Sequence, residues 1–97
     1  MPMHNPPHPG EFIMAVYLEP NGVSGRDLAN KLDVSPSTLN RILNGSSRVT
    51  PEMALRLSKA IGRSAESWLA MQNSYDLWNA RKNLSLRGVG KLKLKAA

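Results

Sequence analysis

Residues 24–45 read Ser24-Gly25-Arg26-Asp27-Leu28-Ala29-Asn30-Lys31-Leu32-Asp33-Val34-Ser35-Pro36-Ser37-Thr38-Leu39-Asn40-Arg41-Ile42-Leu43-Asn44-Gly45. This stretch decides the fold. Ser24 with Asp27 three residues on forms a capping box and opens a helix that runs through Leu32. Ser35-Pro36 repeats the signal: a hydroxyl N-cap, then proline in the first helical turn, where its missing N–H costs nothing. Asn44-Gly45 ends that second helix. Asp33 and Val34 alone lie between the two, and so short a link joins them at a steep angle, as a helix-turn-helix unit. The apolar register agrees. Leu28, Leu32, Val34, Leu39 and Ile42 face inward if the pair packs together, and Ala29 falls where the helices approach most closely. The turn needs a positive φ, normally supplied by glycine. Asp33 stands there, and Asp is among the few other residues that tolerate it.

Working outward, the flanks add three more helices. One starts near Pro9, with Glu11 complementing its dipole, and carries Phe12, Ile13, Val16 and Tyr17 at helical spacing until Pro20-Asn21-Gly22 stops it. Thr50-Pro51-Glu52 opens another, ending at Gly62, with Met53, Leu57 and Ile61 as its core stripe. Ser64-Ala65-Glu66 opens the last, which reaches about Leu84. The predicted fold class is all-α, a five-helix phage-repressor-like helix-turn-helix domain. Pro2, Pro6, Pro7 and Pro9 exclude helix before it and leave an extended N-terminal arm. The expected organisation is an arm over 1–8, a DNA-binding and dimerisation domain over 9–84, and a basic C-terminal tail over 85–97.

Composition excludes several classes. The chain of 97 residues has no cysteine, so a disulfide scaffold, a Cys-ligated zinc site and a thiol nucleophile are ruled out. His4 and His8 are four apart, a metal spacing on a helix, yet they sit in the proline-rich arm without a further ligand. No metal and no cofactor are expected. A nucleophile elbow, a Gly-rich phosphate loop and paired carboxylates are missing, so an enzyme is not expected. No apolar run is long enough for a membrane span or a signal peptide, and the expected localisation is cytoplasmic. Net charge is +6. Residues 1–80 carry seven basic and seven acidic side chains, which cancel. The whole excess is Arg81, Lys82, Arg87, Lys91, Lys93 and Lys95. Charge therefore argues for a basic tail rather than a basic body.

The outward residues of the Pro36 helix carry the functional signal. They are Ser35, Ser37, Thr38, Asn40, Arg41 and Asn44: short hydrogen-bonding groups and one arginine, without an acid. A helix chosen for solubility carries Glu and Lys there. Arginine reads guanine bidentately, asparagine reads adenine, and hydroxyls adapt to either, so this face suits base edges and phosphates of double-stranded operator DNA. Arg48, just before the next helix, is a candidate phosphate contact.

The order of five helices, with Leu28-Ala29, Val34-Ser35, Leu39 and Ile42-Leu43-Asn44-Gly45, resembles the Xre/Cro-type family of phage-repressor helix-turn-helix proteins. His8-Pro9-Gly10-Glu11, Thr50-Pro51-Glu52-Met53-Ala54-Leu55-Arg56-Leu57, and Trp68-Leu69 with Gln72 and Tyr75-Asp76-Leu77-Trp78 are similar to its HigA antitoxin branch. The resemblance covers residues 8 to about 80. It implies a dimer that represses its own operon and neutralises a co-encoded HigB-type toxin, a ribosome-dependent mRNA endonuclease. The alternative is a stand-alone Xre-family repressor without a toxin partner.

In the last helix, Trp68, Met71, Tyr75 and Trp78 share one face, while Ala70, Leu77 and Leu84 fall nearly opposite in heptad spacing. One apolar face packs on the body; the other needs a partner, and a homodimer through Ala70, Leu77 and Leu84 is the economical one, with the toxin as the alternative. After residue 84, Leu84, Leu86, Leu92 and Leu94 alternate with Lys91, Lys93 and Lys95, a weak strand pattern broken by Gly88 and Gly90. Three readings stand: a solubilising end, a strand added to a partner's sheet, or a segment resting on phosphate or an acidic toxin surface.

Overall fold

The structure, a computed structural model, describes residues 5–95. Pro2 and His4 of the sequence reading lie outside the described residues. Five helical elements follow in chain order. The first, α1, is one continuous helical stretch in three parts: an α segment Pro9–Ile13, a π turn Met14–Leu18 and a final α turn Glu19–Asn21. Then come α2 (Gly25–Leu32), α3 (Pro36–Leu43), α4 (Pro51–Ile61) and α5 (Ala65–Asn83).

The predicted starts are made by the predicted caps. Ser24, Ser35, Thr50 and Ser64 each accept a backbone N–H from the residue three on. The stops agree as well: Gly22 and Gly45 have φ of 63° and 84°, and Asp33 takes the left-handed turn position at φ 59°, ψ 45°. The turn is then sealed from a distance. Arg56 on α4 donates through Nη1 to the carbonyls of Leu32 (2.7 Å) and Asp33 (3.2 Å), satisfying acceptors that the end of α2 leaves open. Its Nη2 and Nε donate to Glu52 Oε2 at 2.8 and 3.3 Å.

The core gathers the helical pair with α4 and α5. Leu28, Ala29, Leu32, Leu39, Ile42, Met53, Leu57 and Trp68 are buried, as the register requires, while Val34 and Ile61 are half-buried at its edge. Trp68 lies at the centre, its Nε1 donating to the Gly62 carbonyl at 3.0 Å, so the ring is buried without an orphan polar group. Met71, Tyr75 and Trp78 extend the same face half-buried.

Two expectations need correction. Helical spacing groups Val16 with Phe12, Ile13 and Tyr17, yet Val16 is exposed, while Leu18 is buried. The π turn is the reason: its i→i+5 bond, Glu19 N–H to the Met14 carbonyl, lets residue 18 fall beneath Ile13. Pro20 lies inside the helix, just after the widened turn, and Gly22 is the actual stop. His8 was assigned to the arm, yet it is buried and serves as the N-cap of α1, its Nδ1 accepting the Gly10 N–H at 2.9 Å. The end of α5 agrees with the sequence reading of about Leu84: the helix closes at Asn83 and Leu84 is its C-cap, extended at φ −98°, ψ 131°.

Candidate nucleic-acid interface

The candidate site is α3 with the loop that follows it. The Ser35 cap and Pro36 fix where α3 begins, and burial of Leu39 and Ile42 against the core fixes its rotation. Those two facts determine what points out. Ser37, Asn40, Arg41 and Asn44, spaced three, four and seven residues from the first, form one exposed stripe. Asn40 and Arg41 have no side-chain hydrogen bond or ion pair among the described residues, so their amide and guanidinium are available to a ligand. The described stripe carries no carboxylate.

Other predicted contacts are already engaged. The Ser35 hydroxyl accepts the Thr38 N–H at 3.1 Å and donates to the Thr38 Oγ1 at 2.8 Å, and Thr38 is half-buried. These two shape the end of α3 more than they present free groups. Asn44 accepts at Oδ1 from the Ser46 N–H (3.0 Å) and hydroxyl (2.6 Å), which stiffens the loop and leaves the amide nitrogen outward.

Arg48, the candidate phosphate contact, is already paired within the protein. Its Nη2 donates to Asp76 Oδ2 on α5 at 2.6 Å. Gln72, one turn earlier on α5 and 1% exposed, joins the same cluster: its Nε2 donates to Asp76 Oδ1 at 3.0 Å, and its Oε1 accepts the Val49 N–H at 2.7 Å. The loop is thus held by its backbone through Gln72 and by its one cation through Asp76. Burial pushes the Asp76 carboxyl up. The hydrogen bonds from Arg48 and Gln72, with the Arg48 charge, outweigh that and leave it below the usual carboxylate value. His8 completes the cluster, its ring meeting Tyr75 edge-on at 5.0 Å. Burial lowers the His8 pKa, against the opposing effects of a hydrogen bond to the Ser47 backbone and the charges of Asp76 and Glu11.

The sequence reading missed Gln72, Asp76 and Arg56 as parts of this architecture. Their partners are 23 to 28 residues away in the chain, so no local pattern reveals them. Of the residues expected on the second face of α5, Ala70 and Leu77 lie exposed on the helix, Leu77 at 51%, and Leu84 lies exposed just past its end. The tail over 84–95 is exposed and has neither helix nor strand; a turn closed by the Val89 N–H on the Leu86 carbonyl interrupts it. No described helix is long and apolar enough to cross a membrane.

Two helices joined by the left-handed Asp33 turn, burying one face and turning an acid-free stripe outward, are the arrangement of a DNA-binding helix-turn-helix protein. Known proteins bear this out. Residues 14–68 match the helix-turn-helix family. A relative from Escherichia coli strain K12, an uncharacterized HTH-type transcriptional regulator named YddM, is 40% identical over 92 residues, 95% of this chain and 97% of its own. The solved structure of the antitoxin GraA superposes with a TM-score of 0.84 at 32% identity, over 96% of this chain and all of that one (100%). The Pseudomonas aeruginosa antitoxin HigA, solved with the higBA promoter, gives a TM-score of 0.81 at 30% identity, over 92% of this chain and 99% of that one. The chain belongs to the Xre-type helix-turn-helix family, in its HigA-type antitoxin branch.

Proposed function

We propose that this protein is the antitoxin of a type II toxin–antitoxin pair. It binds operator DNA through α3, represses its own operon, and neutralises a HigB-type mRNA endonuclease. The observation that carries the DNA-binding part is the outward stripe Ser37, Asn40, Arg41 and Asn44, with two of its side chains unengaged. It acts as a homodimer through the second face of α5, around Leu77, which places two copies of α3 on successive major-groove turns. The antitoxin part is supported by the likeness to GraA and to the promoter-bound HigA. Chemistry at the site points away from an enzyme: the stripe holds amides, hydroxyls and a guanidinium, and its side chains bind rather than transfer protons.

A stand-alone repressor is the second reading, favoured by the name of the Escherichia coli relative. One experiment separates the two. The chain is co-expressed with the product of the adjacent open reading frame and purified by a tag on that product alone. Co-elution, together with relief of the neighbour's toxicity, is expected of the antitoxin. A neighbour that neither arrests growth nor co-elutes contradicts that reading and leaves the repressor.

A further inference from the structure

The ion pair between Arg48 and Asp76 joins the DNA-facing loop to α5. Asp76 is aimed at Arg48 by Gln72, which is itself buried and anchored to the backbone of the same loop. Such an arrangement is not a chance surface pair, because the carboxylate is fixed on both oxygens. The Arg48 side chain stays 55% exposed, and its Nη1 and Nε have no partner among the described residues. A phosphate therefore has donors to reach. It meets them beside a carboxylate that already neutralises the charge.

We propose that Asp76 is an electrostatic brake on Arg48, through which α5 sets how strongly the loop after α3 attracts the DNA backbone. The inference rests on the DNA-binding reading above. If Arg48 turns to a phosphate, the Asp76 bond is lost; if it stays, the Asp76 charge lies next to the phosphate. Both cases weaken attraction. The brake acts on the sequence-independent part of binding, so it leaves the base-reading stripe of α3 a larger share of the total.

The test is a salt titration of operator and random duplex binding by the full chain. Asp76→Asn removes the charge and keeps an acceptor for Gln72. It is expected to tighten both duplexes by about two- to fivefold near 0.1 M salt, the scale of an exposed ion pair. It should steepen the slope of log affinity against log salt by about 0.9 per protomer, one added phosphate contact. The double variant Arg48→Ala/Asp76→Asn removes both charges and is expected to match the wild-type slope. Where melting shows that Asp76→Asn is not folded at the assay temperature, Asp76→Ser gives the same comparison. Weaker or unchanged binding by the Asp76 variant overturns the brake, since Asp76 then orients Arg48 or does nothing for DNA. So does a double variant whose slope falls by about one contact below wild type. Failure of the underlying reading has a different signature: the wild type itself does not prefer the operator.

Discussion

Replacing Gly10 by alanine should destabilise the protein more than any single exposed substitution, and the structure says why. Gly10 follows the Pro9 that opens α1, and α1 lies there against the C-terminal end of α3. A Cβ on residue 10 would stand 1.9 Å from the Ile42 carbonyl oxygen and 2.7 Å from both the Ile42 carbonyl carbon and the Leu43 Cα. All three are backbone atoms, so no side chain can swing aside. To restore ordinary contact the two helices must separate by more than about 1 Å, which loosens a close-packed interior. The Gly10 N–H would also be drawn from the His8 cap. Overpacking costs about 1–3 kcal/mol and sometimes more. With roughly 4–8 °C of melting temperature per kcal/mol for a domain of this size, Gly10→Ala should melt about 4–24 °C lower. Thermal denaturation followed by circular dichroism measures it. A variant within about 2 °C of wild type refutes the reasoning, because it means α1 does not press on α3. Glycine is retained here for closeness of approach, not for an unusual backbone angle.

Leu77→Glu should convert a dimer to monomers with helical content intact, since the side chain is already 51% exposed and its loss empties no core; a wild type that sediments as a monomer at tens of micromolar, about where a weak dimer still forms, refutes the α5 seam. Truncation after Leu84 removes Arg87, Lys91, Lys93 and Lys95 and should lower the salt slope by about 3–4 per protomer at ~0.9 per contact, with operator preference kept. An unchanged slope with weaker toxin binding assigns the tail to the toxin, and no change in either assay makes it a solubilising end. Burial holds the folded His8 pKa below 6.5, so the unfolded chain takes up the proton first and stability should fall as pH drops below about 6.5, levelling once the folded value is passed. His8→Asn keeps a cap acceptor without titrating; denaturant melts at pH 7.5 and 5.5 should show a smaller drop for it than for wild type, and equal drops contradict the assignment.

Features made within a few residues were legible in the sequence. The caps at Ser24, Ser35, Thr50 and Ser64 were readable because donor and acceptor are three residues apart. The Asp33 turn was readable because few side chains accept its backbone. Arg41 and Asn40 were readable as outward because helical periodicity fixes them once Leu39 and Ile42 face in. What escaped depends on the third dimension or on a break in periodicity. Val16 and Leu18 exchange places because one π turn shifts the phase, and no residue in Met14–Leu18 announces it. The hold of Asp76 on Arg48, the hold of Gln72 on Val49 and the seal of Arg56 over the α2 terminus each join separate helices and loops. His8 looked like part of a proline-rich arm, and its burial follows from the close approach that Gly10 permits.

Arg41 is the residue whose loss shows whether α3 reads DNA sequence with its exposed stripe. Arg41→Ala lies on the exposed face, away from the buried Leu39 and Ile42, so folding should be unaffected. Binding of wild type and variant to the operator and to a random duplex of the same length, at one fixed salt concentration, decides the matter. The expected loss on the operator is about 1–3 kcal/mol, roughly five- to hundredfold, if the guanidinium reads a guanine, with a much smaller loss on random DNA. Equal losses on the two duplexes would contradict base readout and leave Arg41 as a phosphate contact.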